Sequence, residues 1–297
     1  MTQPTILDTA RAIHRATGRD PLTPRWEATL RAFYGLPLRD LDRENLLAST
    51  RRTTGGLVAL KQRHGAMREL WCRVGRRGRK SFVAALIAIH EAAFGGHGRY
   101  LVDGERGLIA VISKDTAGSQ LVANFAEIHA RALGFETNWT SMGAVRILEL
   151  GGVPFGIACF PCNAKAPRGP AVPVVIADEP AHWPTEDEYV NADTAVLAAV
   201  KPAMAQFPDS KLIAISSPLG ETGLHYETVE TNLGDDADPH VLAVEGPTWE
   251  WNPQITEERT REIEKDEETR NREFGGKPSG SRQTPATART FRAARGG

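Results

Sequence analysis

The chain has 297 residues, 41% of them apolar, with 36 Lys and Arg against 37 Asp and Glu and a formal net charge of −1. That length carries one large domain or two small ones, with enough apolar surface for a full core. The balance excludes a strongly basic protein that coats nucleic acid and leaves room only for a local DNA-touching patch.

No stretch reaches the roughly 20 apolar residues needed to span a bilayer, and the N-terminus lacks a basic-then-apolar signal pattern. Three cysteines, Cys72, Cys159 and Cys162, cannot all pair and suit a reducing compartment. Cys159 and Cys162 have metal-motif spacing, but with no second pair or matching histidines nearby they read as core and loop residues. In chain order, residues 1–50 form a polar, helix-leaning lead-in broken at Pro21, Pro24, Gly35 and Pro37. From about 51 onward, short apolar runs alternate with amphipathic stretches, the pattern of βα units around a mostly parallel sheet.

Residues 70–74 read as a strand and 81–94 as the helix after it. A second strand is expected at 108–112 and a helix at 116–133, with apolar residues at helical spacing. Segments 145–150 and 155–160 flank Gly151-Gly152, which reads as a hairpin turn. The near-continuous apolar run 172–177 suits a strand buried on both faces; 211–215 is another, with a helix near 192–201 between them. Residues 51–245 thus form the main α/β unit. After Trp251-Asn252-Pro253, a linker over 246–274 ends in a charged helix, 256–274, whose Glu257 and Arg261 pair at helical spacing. Residues 275–297 contain no acid and no aliphatic larger than Ala. Such a segment cannot bury enough surface to offset its ordering entropy, so a disordered basic tail is expected.

Three segments carry chemistry. Gly75-Arg76-Arg77-Gly78-Arg79-Lys80-Ser81 lies between a strand and a helix. A phosphate loop needs small residues so that backbone N–H groups face the phosphates. It also needs a lysine for the β/γ oxygens and a hydroxyl to hold Mg2+, at a helix N-terminus. Lys80 and Ser81 fill the last two roles. The usual spelling has glycine where this chain has Arg79; Gly78 sits one residue early and is expected to supply the flexibility. Taken alone, the segment also fits a basic surface turn. The strand 174–177 ends in Asp178-Glu179, the way many P-loop ATPases present a metal-side aspartate and a general base. Alone it also fits a solvated acidic turn. Ser216-Ser217-Pro218 ends the next strand with hydroxyls able to sense a γ-phosphate, and alone fits a plain strand end. All three fall at the same end of successive strands, where open α/β sheets bind ligands, and together they indicate one ATP site.

The loop from Val74 to Ser81 resembles the arginine-containing Walker A loop of phage large terminases. Val175-Ile176-Ala177-Asp178-Glu179-Pro180-Ala181-His182-Trp183 resembles their Walker B strand with its trailing His-Trp, and Ile215-Ser216-Ser217-Pro218 their coupling motif. Trp251-Asn252-Pro253 resembles a stretch that recurs after their ATPase core, so the likeness runs over roughly 50–274. The resemblance implies an α/β, RecA-like (ASCE) P-loop ATPase that drives double-stranded DNA through a portal into a capsid. It implies ATP and Mg2+ as ligands, and double-stranded DNA, a portal protein and a small terminase subunit as partners. The family assembles as a homo-oligomeric ring in the host cytoplasm, with no membrane partner. Carried over by position, Gly75, Arg77, Gly78, Arg79, Lys80 and Ser81 cradle phosphate, and Ser81 and Asp178 hold the metal. Glu179 is the base, Arg76 stabilises transition-state charge in cis, and Ser216, Ser217 and Pro218 couple. His182 and Trp183 read as packing. Family members continue into a nuclease built on clustered acids; none stand in 275–297, so no nuclease activity is expected. The alternatives are a remnant that binds nucleotide or portal without turnover, and another ASCE ATPase such as a helicase.

Overall fold

Continuous burial along the apolar runs, on both faces, builds the sheet. A computed structural model describes residues 3–19, 22–62, 67–162, 170–184 and 192–280. Its strands are β1 (Glu69–Val74), β2 (Gly107–Ser113), β3 (Thr137–Met142), β4 (Val145–Leu150), β5 (Phe155–Pro161), β6 (Ala171–Asp178), β7 (Lys211–Ser216) and β8 (Val241–Gly246). They lie side by side in the order β3-β4-β5-β2-β6-β7-β1-β8. All neighbours from β5 to β8 are parallel, and among the described strands β4 alone runs against the rest. This is the mostly parallel, helix-flanked sheet expected of the RecA-like class. Pro173 cannot donate to a ladder, and the β2–β6 register shifts where it stands before resuming at Val174.

Successive side chains point to opposite faces. Leu70, Cys72, Val74, Ile109, Val111, Val174 and Ile176 face one core. It is covered by α1 (Ile6–Thr17), α2 (Pro24–Phe33), α5 (Lys80–Phe94) and α6 (Thr116–Ala132). Trp71, Ala110, Ile112, Val175 and Ala177 face the other, under α7 (Ala192–Met204) and α8 (Leu224–Asn232). The N-terminal helices, which include α3 (Asp40–Thr50) and α4 (Thr54–Gln62), are part of the first core: Ile6, Trp26, Leu30 and Phe33 are fully buried. Thr5 starts α1 with a capping box to Asp8. All three cysteines are free and buried, and burial pushes the Cys159 thiol up to about 11. Among the described residues no helix is long and apolar enough to cross a membrane.

Two expectations are corrected. The single charged helix over 256–274 is two, α10 (Glu257–Ile263) and α11 (Glu267–Glu273), following the short α9 (Thr248–Trp251). Glu264 is extended, and Asp266 restarts the helix by accepting from Thr269 N, so a cap within the charged run divides it. Residues 275–280, grouped by composition with a disordered tail, are placed. Lys277 N donates to Asn271 O at 3.1 Å and Ser279 N to Leu219 O at 3.1 Å. Backbone hydrogen bonds, which composition does not report, hold them; residues 281–297 lie outside the described residues.

Trp26 meets Trp251 edge to face at 4.5 Å between ring centroids and donates its indole N–H to Gly78 O at 2.9 Å. Trp26→Ala removes both contacts from a closed core and is expected to cost about 3–5 kcal/mol of unfolding free energy. A fall in the urea midpoint at unchanged slope measures it.

Candidate functional site

The carboxyl ends of β1, β2, β6 and β7 open into one cleft of about 740 Å³, floored by the loop from Arg76 to Ser81. That loop takes its shape from two arginines. Arg77 and Arg79 are left-handed, at φ 66° and 65°, whereas Gly78 is not in that region. The expectation that Gly78 supplies the turn's flexibility is therefore corrected. A Cβ there would fall 2.5 Å from Val74 Cγ1 and 2.9 Å from Gly75 O, so Gly78 is needed for space. Left-handed backbone costs a non-glycine residue about 1–2 kcal/mol, which the surrounding contacts must offset. Arg79 immediately precedes α5, with its guanidinium over the Phe82 ring at 5.7 Å.

Lys80 is buried and its ammonium lies 3.2 Å from Glu179 Oε1, while donating to Val74 O at 2.9 Å. Glu179 is itself left-handed at φ 55°, a strained geometry typical of functional positions. Its Oε2 accepts from Ser217 N at 2.6 Å, Ser217 Oγ at 2.8 Å and Ser216 Oγ at 3.1 Å. Burial alone would raise its pKa; the Lys80 charge, then the Ser217 donors, bring it down to about 2. Asp178 moves the other way. Burial first, and the neighbouring Glu179 second, push its carboxyl up to about 7 against the pull of Lys80. Two adjacent carboxyls thus sit in opposite protonation regimes, the usual mark of divided acid–base roles.

Ser81 Oγ donates to Asp178 Oδ1 at 3.3 Å. The cross-strand neighbour Ser113 donates to Oδ2 at 3.4 Å. A buried carboxyl flanked by hydroxyls is a donor set that fits Mg2+, whose charge would offset the burial of the carboxylate. His182 Nε2 bonds Ser217 Oγ at 3.1 Å, and Trp183 donates its indole N–H to Asp178 O at 3.0 Å from a buried position. Pro218, which follows Ser217 in the chain, is also buried.

Lys80, Ser81, Asp178, Glu179, Ser216 and Ser217 are thus brought together. Arg76 lines the same cleft, but its guanidinium is turned to Glu273, with Nε 2.8 Å from Oε2. Gly75 faces away from the cleft, where an added Cβ would lie 2.3 Å from Phe274 O and 2.5 Å from Thr248 Oγ1. Sequence reasoning missed Ser113, Thr248 and Glu273, and it singled out Asn252 only as part of a resembling stretch, not as a contact of the loop. Only Ser113 had a readable signal, a hydroxyl at a strand end level with Asp178.

No family model matches the sequence, and neither does any curated protein. Among solved structures, the fold is similar to the ATPase domain of the Thermus phage P74-26 large terminase. The TM-score is 0.53 at 15% identity, over 84% of this chain and 96% of that one. It is similar to the bacteriophage HK97 large terminase with a TM-score of 0.53 at 15% identity, over 85% of this chain and 55% of that one. This chain therefore has the fold of phage large-terminase ATPase domains and spans about half of the HK97 protein.

The raised pKa of Asp178 carries a sign. Folding takes up its proton between the unfolded value, near 4, and about 7, so stability contributed by this group falls as pH rises through that window. Glu179 acts oppositely, contributing stability above its unfolded value that is lost as pH falls toward about 2. Asp178→Asn is expected to flatten the loss between pH 4 and 7 in metal-free buffer, read from denaturation midpoints across that range.

Proposed function

We propose that this chain is the ATP-hydrolysing motor domain of a phage DNA-packaging large terminase. The observation that carries the reading is the grip on Glu179, held by Lys80 on one side and by Ser216 and Ser217 on the other, next to Asp178 and Ser81. A phosphate chain entering at the N-terminus of α5 meets backbone N–H groups and the positive helix end. Lys80 then exchanges one oxyanion partner for another, leaving Glu179 for the β/γ oxygens. Freed of that cation, the Glu179 carboxylate becomes more basic and takes up the role of orienting and deprotonating the attacking water. Ser81 and Asp178 would hold Mg2+, which when bound neutralises charge on the phosphates. Arg76, once turned inward, supplies charge stabilisation of the kind typically worth 10³–10⁵ in rate. Ser217 loses its carboxylate acceptor as Glu179 turns, so the segment through Pro218 into α8 registers the nucleotide's state.

The proposed partners are double-stranded DNA as cargo, a portal protein, a small terminase subunit and further copies in a ring on the portal, in the host cytoplasm. One observation favours a second reading, nucleotide binding without turnover: the left-handed Arg79 at a position where phosphate loops use glycine.

With the purified chain, Glu179→Gln is expected to retain ATP·Mg binding and lose at least about 10²-fold in turnover, whereas Lys80→Ala loses binding. Undiminished hydrolysis in Glu179→Gln removes the proposed base. Arg79→Gly decides between the two readings. Turnover already present in the parent supports the motor; turnover found only in the glycine variant supports the binding-only form.

A further inference from the structure

Ser113 ends β2 inside the cleft, on the side of Asp178 away from the phosphate loop. It lies level with Asp178 on β6 and with Pro161 on β5. Its carbonyl accepts from Cys162 N at 2.8 Å, which pins the strand end from the β5 side. Its buried hydroxyl donates to Asp178 Oδ2 at 3.4 Å, while Oδ1 accepts from Ser81 Oγ at 3.3 Å. Among the described residues no other side chain bonds either oxygen. A carboxyl group turns readily about its last torsion, so these two hydroxyls on opposite oxygens are what fix its plane. The room for the Ser113 hydroxyl is itself built. Gly118, in the first turn of α6, sits against it: an added Cβ would fall 2.2 Å from Ser113 Oγ and 3.1 Å from Ser113 Cβ. Glycine is a poor helix former, and no positive φ calls for it at this position. Space for the hydroxyl accounts for it.

We propose that Ser113 is a positioning residue for the divalent cation: with Gly118 leaving it room, its hydroxyl holds Oδ2 and thereby keeps Oδ1 of Asp178 aimed at Ser81 and the metal. This rests on the nucleotide reading given above. Mg2+ demands near-ideal octahedral geometry, so a carboxylate free to rotate is a poorer ligand than one held in plane. Partners that orient a metal's carboxylate from outside typically matter by 10–100-fold in metal affinity. Without Ser113, Oδ2 is a buried acceptor with no donor, and the group gains by turning away from the geometry that serves the metal. None of the hydrogen bonds of Ser113 goes to the phosphate loop or to Lys80. Its influence is therefore confined to the metal and does not extend to the grip on phosphate.

Mn2+, whose free form is counted by electron paramagnetic resonance, stands in for Mg2+ in the test, with ADP present and the full chain used throughout. Ser113→Ala is expected to weaken Mn2+ binding about ten-fold, the lower end of the range because the hydrogen bond is long. Its affinity for ADP in metal-free buffer is expected to equal that of the parent, which also shows that the variant is folded. Gly118→Ala, a change that ordinarily favours a helix, is expected to weaken Mn2+ in the same way by displacing the hydroxyl. Added to Ser113→Ala it is expected to cause no further loss, because the methyl then enters vacated space. Unchanged Mn2+ affinity in Ser113→Ala, beside clear binding in the parent, overturns the proposal and leaves the nucleotide reading intact. So does an equal loss of metal-free ADP binding, which marks a scaffold role, or a full further loss from Gly118→Ala in the double variant. A parent that binds neither ADP nor Mn2+ with ADP overturns the nucleotide reading and this proposal together.

Discussion

A lysine ammonium and a glutamate carboxylate, both largely withdrawn from water, meet 3.2 Å apart where β1 and β6 end. Burying such a pair is costly unless the remaining donors and acceptors are matched. Here they are. The Lys80 ammonium also donates to Val74 O, and Glu179 collects three donors from Ser216 and Ser217. The sheet order makes this possible, because β7 lies between β1 and β6 and delivers its two serines into the gap. Break the pair and two strand ends lose their common fixture at the same moment.

The helix that begins at this pair is held equally firmly at its other end. Glu91, near the end of α5, is buried and receives the Tyr34 hydroxyl at 2.6 Å, His97 at 2.8 Å and the Lys211 ammonium at 3.3 Å. Burial opposes its ionisation, but His97 and Lys211 outweigh that and bring its pKa down to about 2. Lys211 opens β7 and Ser216 closes it, so α5 meets β7 through the Glu91–Lys211 ion pair at one end and through Glu179, which accepts from Ser216 and pairs with Lys80, at the other. A small shift of the phosphate loop therefore moves a rigid pair of elements, not one free helix.

The buried parallel strands could be read from the sequence because a strand covered on both faces must be apolar throughout; β2, β6 and β7 are the examples. The strand β3 was missed for the opposite reason. Thr137–Met142 is an edge strand exposed along most of its length, and its polar residues carry no alternation. The short β8 and α8 were likewise unread. At the cleft, Lys80, Ser81, Asp178, Glu179, Ser216 and Ser217 were legible because their chemistry is spelled at strand ends, in order. Trp26, Thr248 and Glu273 were not, and Asn252 was read only as part of a resembling stretch, since each reaches the loop from a part of the chain distant in sequence. Local spelling reports what a loop contains; it does not report what holds it.

That difference bears on the two left-handed arginines. In most phosphate loops the residue type permits the turn, and glycine advertises it. Here the backbone of Arg77 accepts from Asn252, that of Gly78 from Trp26, and that of Arg76 donates to Glu273, so the turn is imposed from outside. A cradle enforced by its neighbours is released from the usual spelling and can drift through a wider region of sequence space, trading glycine for a cation at the cost of modest strain.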